Sequence, residues 1–117
     1  MNKRKLGAGK ESEVARFLSE CGLDVIDRNY RSRFGEIDLI ARDGAFVVFI
    51  EVKYRKTASA GHPEEAVSLS KAKTISKVAD YYRVCKHIPE NTPVRFDVVA
   101  IEGDAFRWHK NAFPYMG

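Results

Sequence analysis

Apolar and polar positions alternate most sharply between Gly35 and Arg55. There the chain reads GEIDLIARDGAFVVFIEVKYR, with two strand-like runs, Glu36 to Ala41 and Ala45 to Tyr54, rich in Ile, Val and Phe. Asp43-Gly44 separates them, the strongest short-range signal for a two-residue hairpin turn. With those two residues as the turn, Arg42 faces Ala45, Glu36 faces Glu51 and Asp38 faces Phe49, which leaves Glu51 diagonal to Asp38. This register puts Ile37, Leu39 and Ala41 on one face with Phe46, Val48, Ile50 and Val52. Glu36, Asp38, Glu51 and Lys53 fall on the other face, together with Ile40, Val47 and Phe49.

The same periodicities lay out the rest of the chain. Glu11 to Cys21 is predicted as a helix closed by Gly22, with Val14, Ala15 and Leu18 as its buried stripe. Leu23 to Arg31 is predicted as a strand with Val25 inward, Leu23 a second inward candidate, and the arginines outward. Thr57 to Pro63 is a small-residue loop that contains His62. A helical stretch begins at Glu64 or Leu69 and runs to about Lys86, with Ala72, Ile75, Val78, Ala79 and Tyr82 at core spacing. Pro89 and Pro93 precede the strand Val94 to Glu102, and Gly103-Asp104 turns into Ala105 to His109. Trp108 and Phe113 are expected to close the core. The order is that of an α/β protein, with a central mixed β-sheet flanked by helices.

Composition narrows this picture. At 117 residues the expectation is a single domain over 1–117. A hydrophobic content of 44% and a charged content of 31% exclude a disordered chain. No apolar run approaches the ~18 residues of a membrane span, and MNKRKLGAGK has no apolar core of a signal peptide. Cys21 and Cys85 lack metal-ligand spacing and are expected to be reduced, partly buried thiols in a cytoplasmic protein. The net charge is +4, and the basic residues cluster. Lys3, Arg4, Lys5 and Lys10 precede the first predicted helix, Arg28, Arg31 and Arg33 precede the hairpin, and Lys53, Arg55 and Lys56 follow it. Lys71, Lys73 and Lys77 lie on the later helix. Charge runs are usually solvated faces, but positive clusters around a negative pocket suit a phosphate backbone crossing a metal site.

The hairpin acids supply that pocket. A half-solvated hairpin with its polar residues outward is the plain alternative. Against it, Ile40, Val47 and Phe49 share the acids' face, and like charges on one face destabilise a sheet unless something neutralises them. A divalent cation with Lys53 beside it would do so. Mg²⁺ or Mn²⁺ suits carboxylate oxygens, and no Cys/His cluster invites a structural zinc. Asp38 and Glu51 are the expected ligands, Glu11 a third candidate and Glu36 a weaker one. Lys53 would orient a metal-bound water or stabilise developing charge. Glu11 heads its helix's apolar face, where favourable placement near a helix N-terminus is the plain alternative. Asp97, which interrupts an apolar strand, is expected to support the site or to be structural.

Asp38 followed thirteen residues later by Glu51-Val52-Lys53 resembles the D…E-x-K core of the PD-(D/E)-x-K nuclease superfamily. The wider context resembles the small bacterial YraN-like proteins, predicted endonucleases related to Holliday-junction resolvases. Asn29-Tyr30-Arg31, Gly35 to Ala41, Phe49 to Lys53, Arg95 to Val99 and Asn111-Ala112-Phe113 carry the likeness, which spans nearly the whole chain. D…E-x-K alone is weak, whereas GEIDLIA followed by FIEVK at this spacing is specific. Ile37 stands where the superfamily often has Pro, and Lys10 where the family usually has Gly before the helix acid. The resemblance implies a restriction-endonuclease-like core, Mg²⁺-dependent cleavage of structured or branched DNA, and a homodimer. It also implies a place in DNA repair or recombination. Within it, Asp38, Glu51 and Lys53 are catalytic and Glu11 joins the metal site. Lys71 matches a helix lysine that contacts substrate phosphate, and Arg31, Arg33 and Arg55 would contact the nucleic acid. A non-catalytic nucleic-acid-binding module with the same fold is the alternative, and a scaffold with a structural cation is a third reading.

Overall fold

The computed structural model describes residues 3–55 and 67–117, with side chains described for residues 11–54 and 67–117. Helix α1 (Lys3–Glu20) leads into strands β1 (Asp24–Ser32), β2 (Gly35–Asp43) and β3 (Phe46–Arg55), then helix α2 (Leu69–Cys85) and strands β4 (Val94–Glu102) and β5 (Ala105–His109). The strands form one five-stranded sheet in chain order. Its pairings are antiparallel except β3 with β4, which are parallel and joined through α2. A parallel return needs a crossover connection, and the helical run before Pro89 supplies it. Among the described residues no helix is long and apolar enough to cross a membrane.

The alternation of β3 divides the core into two layers. Val47 and Phe49 pack with Ile40, Phe96, Val98 and the buried stripe of α2, Ala72, Ile75, Val78, Ala79 and Tyr82. Val48 and Ile50 pack with Leu39, Ala41, Val99, Ile101 and the stripe of α1, Val14, Ala15 and Leu18. The helices therefore cover opposite faces of the sheet. Phe113 belongs to the α2 layer, and Trp108 packs against the α1 layer.

Several sequence expectations are corrected here. Asp43 pairs with Phe46, so Gly44-Ala45 form the turn, and Phe49 faces Ile40 rather than Asp38. Gly44 takes φ +60° while Ala45 has no positive φ. Gly at the first central position is what a type II′ turn requires, and this placement wins over Asp-Gly. The displacement of two residues leaves every β3 side chain on its expected face. Ile37 does change face, joining Ile40 in the α2 layer while Leu39 stays with α1. The alternation of β2 is thus broken at Asp38. Helix α1 begins at Lys3, so the region of Lys3, Arg4, Lys5 and Lys10 belongs to the helix instead of preceding it. Cys21 and Cys85 are free, as expected, but both are exposed rather than partly buried. The loop Thr57 to Pro63 with His62, and also Lys56, lie outside the described residues.

Asp97 is fully buried, and four donors meet its carboxylate. Arg95 donates from Nε at 2.9 Å and from a terminal nitrogen at 3.0 Å, Trp108 Nε1 donates at 2.9 Å, and the Asn111 N–H donates at 2.9 Å. Arg95 also reaches Asp43 beside the β2–β3 turn at 3.0 Å. One buried acid thus ties β4, β5, the C-terminal segment and, through Arg95, the hairpin. Asp97→Ala should lower stability by about 3 kcal/mol in urea denaturation, because the part-buried Trp108 N–H and two Arg95 N–H groups would lose their acceptor. A loss below about 1 kcal/mol would show that the network does not hold the fold.

Candidate functional site

The antiparallel ladder of β2 and β3 runs as far as Leu39 opposite Ile50. Asp38 and Glu51 are the next residues outward. There the Val52 N–H donates to Asp38 Oδ2 at 2.8 Å, so a side chain takes the place of a ladder carbonyl. Strand β3 continues against β4, with Glu51 beside Val98 and Lys53 beside Ala100. The two acids therefore face each other where β2 leaves β3, a closer arrangement than the diagonal expected from the hairpin pattern. Lys53, half-buried, lies two residues beyond Glu51 on the same side of β3.

The electrostatics follow from this crowding. Burial, foremost, and a hydrogen-bonding contact with Glu51 push the Asp38 carboxyl up to about 7; the Val52 N–H and the Lys71 charge oppose the rise. Glu51 Oε2 is buried with no hydrogen-bond partner. Lys71, at the start of α2, brings Nζ to 3.4 Å from that oxygen, close enough for attraction but without hydrogen-bond geometry. Asp38 thus stays protonated up to near neutral pH beside Glu51, and one buried Glu51 oxygen has no hydrogen-bond partner. Glu11 lies within reach of their field. Its own pKa is raised by burial first and by Asp38 second, and lowered in part by a hydrogen bond from Asn29.

Those details revise individual roles. Glu11 stands well inside α1, so proximity to a helix N-terminus does not explain it. Glu36 pairs with Arg31 at 3.5 Å, although it also lines a small recess with Ile37, Ile50, Glu51 and Ile75. Asp97 is taken up by its four donors and points to the face opposite Phe96 and Val98. Arg33 lies over the Phe34 ring at 5.0 Å, and Lys71 is directed at Glu51. The Arg55 side chain lies outside the described residues. Lys71 as a partner of Glu51 escaped the sequence reading, although its place one turn before Ile75, at the edge of the buried stripe, was a usable signal.

Among the described residues no three Asp, Glu, His or Cys side chains form a ready-made metal cluster. The pair nevertheless fits a hard divalent cation. Mg²⁺ keeps several waters and commonly takes only one or two carboxylates, and Glu51 Oε2 has the Lys71 ammonium at 3.4 Å but no hydrogen-bond partner. Asp38 and Glu51 would hold it, with Glu11 able to orient one of its waters.

In chelator, Asp38 carries a proton in the fold that the unfolded chain releases near the ordinary 3.8. Stability from this group is complete below that value and is lost as pH rises through about 7. The wild type should therefore lose on the order of 2 kcal/mol between pH 5 and pH 8, and Asp38→Asn should abolish most of that loss. At pH 8 the mutant should melt higher than the wild type, and added Mn²⁺ should raise only the wild type. Parallel thermal melts decide the matter: equal pH profiles, or equal Mn²⁺ shifts, would refute the convergence of Asp38 on Glu51.

The family model described as "Uncharacterised protein family UPF0102" matches residues 10–101, which include all the acids above. A UPF0102 protein of Lachnoclostridium phytofermentans is 47% identical over 117 residues, spanning 100% of this chain and 99% of its own length. One from Caldicellulosiruptor saccharolyticus is 40% identical over 101 residues, covering 86% and 85% of the two chains. Another, from Colwellia psychrerythraea, is 46% identical over 112 residues, covering 92% and 87%. With a family match across most of its length and relatives this similar end to end, the chain belongs to the UPF0102 family.

Proposed function

We propose that this protein is a divalent-metal-dependent nuclease of the PD-(D/E)-x-K type, YraN-like and restriction-endonuclease-like, an endonuclease acting on structured or branched DNA. The observation that carries the reading is the pinning of Asp38 against Glu51 by the Val52 N–H, with Lys53 following on the same side of β3. Structural acids are normally satisfied, as Asp97 is. Glu51 Oε2 has no hydrogen-bond partner, and the pair lies where β2 departs from the ladder.

A cation bound there would polarise a phosphodiester and supply hydroxide from a coordinated water. The protein's part is geometric and electrostatic. Asp38 gives up its proton so that it and Glu51 can hold positive charge. Lys53 steers the attacking water or meets the negative charge that builds on phosphorus-bound oxygen. Lys71 is the internal counter-ion of Glu51 until the site is loaded, after which its ammonium is free for a substrate phosphate. Arg31 and Arg33, at the tip of the β1–β2 hairpin, provide positive charge on the approach.

Asp38→Asn, Glu51→Gln and Lys53→Ala should each lower Mg²⁺-dependent cleavage by about 100-fold or more while leaving the fold and the affinity in Ca²⁺ nearly intact. Undiminished cleavage by Lys53→Ala would overturn the catalytic assignment. Retained binding without cleavage in any protein, wild type included, would favour a non-catalytic binding module. The affinity should fall linearly with salt on logarithmic axes, and replacing Arg31 and Arg33 together by Ala should reduce the slope by about 1–2. A titration over several salt concentrations measures this, and an unchanged slope would remove both arginines from the phosphate path.

A further inference from the structure

Beyond the acids, the tip of the β1–β2 hairpin meets the outer side of α2 in an aromatic ledge. Phe34 and Tyr81 are 40% and 44% exposed, with ring centroids 6.5 Å apart and planes 69° apart. Tyr30, half-buried, lies 6.5 Å from Tyr81 and packs edge-on at 4.8 Å against the buried Tyr82. The ledge thus has two open rings outside and one anchored ring within. Single exposed apolar side chains need no explanation, but a contiguous group of rings does.

This group is held in place. The Phe34 N–H donates to Ser32 Oγ at 3.1 Å, which stiffens the turn. Gly35, at φ +151°, lies so close to α2 that a Cβ would come within 2.8 Å of the Thr74 methyl. Only glycine lets the hairpin tip rest there, and that contact fixes Phe34 beside Tyr81.

Positive charge surrounds the rings. The Arg33 guanidinium lies 5.0 Å from the Phe34 centroid. Lys77 stands one turn before Tyr81 and Lys73 two turns before it, both exposed. Asp80, the acid beside Tyr81, accepts a hydrogen bond from Tyr115 at 2.7 Å and so faces the C-terminal segment. Helix α2 then leads to Lys71, which touches Glu51 about 15 Å from Tyr81. Phe34, just ahead of β2, precedes Asp38 by four residues, about 13 Å. Open π-faces joined by a basic track to a carboxylate pair match one class of ligand: a polyanion whose flat rings are free to stack. In a duplex those faces are already covered by neighbouring bases.

We propose that Phe34 and Tyr81 stack an unpaired nucleobase, so that nucleic acid reaches the carboxylates through a single-stranded or splayed segment. The inference rests on the nuclease reading and adds the structural class of substrate to it.

Binding to a labelled oligothymidine and to a blunt duplex, measured by anisotropy with Ca²⁺ in place of Mg²⁺, tests it. Phe34→Ala and Tyr81→Ala should each weaken single-strand binding about tenfold and leave duplex affinity within about twofold. Phe34→Trp should bind like the wild type, and its added tryptophan fluorescence should fall as the oligonucleotide binds. An abasic oligonucleotide should cost the wild type what Phe34→Ala costs, with no further loss in that variant. Equal losses for single strand and duplex, no loss in either alanine variant, or no single-strand binding by the wild type would overturn the ledge. So would unchanged affinity with a lower sedimentation coefficient for Phe34→Ala, which would assign the rings to contact between two copies of this chain. Cleavage in Mg²⁺ judges the nuclease reading separately. Cleavage with ring-independent binding removes only the ledge, and ring-dependent binding without cleavage removes only the nuclease.

Discussion

Two carboxylates pressed together in a half-covered crevice repel, and the surroundings of Asp38 and Glu51 read as successive compensations for that repulsion. The Val52 N–H takes one Asp38 oxygen, a proton near neutral pH removes one charge, and Lys71 approaches from α2 with another. None of these completes the shell of Glu51 Oε2. An unpaired buried oxygen costs more than an apolar side chain in its place.

The scaffold makes such a deficit tolerable by placing it at a margin. Apolar layers on both faces of the sheet, each sealed by one helix, stabilise β3 along its length. At Glu51 the strand loses β2 but keeps β4, so the backbone stays in register although one ladder has ended. The break of alternation at Asp38 is part of the same event: Ile37 turns to the α2 layer, Leu39 to the α1 layer, and the carboxylate between them is directed along the sheet toward β3. Asp97 provides the contrast. On the neighbouring strand an acid with all its donors in place acts as a rivet, joining β4 to β5 and, through Arg95, to the hairpin turn.

Helix α2 links the parts. Its inner stripe covers the sheet, its first turn supplies Lys71 to Glu51, and its outer face presents Lys73, Lys77 and Tyr81. The same helix is the crossover that makes β3 and β4 parallel. Topology therefore delivers a cation to the acids and a basic stripe beside them with no additional element. The hairpin tip is seated on this helix by the absence of a side chain at Gly35.

Much of this was legible in the sequence because it depends on period alone. The strands from Val94 and Ala105, the stripes of both helices and the face of every β3 residue follow from which positions are apolar, and a displacement of two residues cannot alter a face. Asp38, Glu51 and Lys53 were recognisable as polar residues on a covered face for the same reason. What the tertiary structure decided depends on contacts between distant segments. Turn geometry at Gly44 set the pairing that brings Asp38 opposite Glu51, and the end of the ladder let the Val52 N–H capture a side chain. The approach of Lys71 to Glu51 could be seen only once α2 had crossed the sheet. Asp97 could be read as structural only once Trp108 and Asn111 had closed over it. Periodicity records which side a residue faces; which residues then meet is set by register, crossover and the seating of helix on sheet.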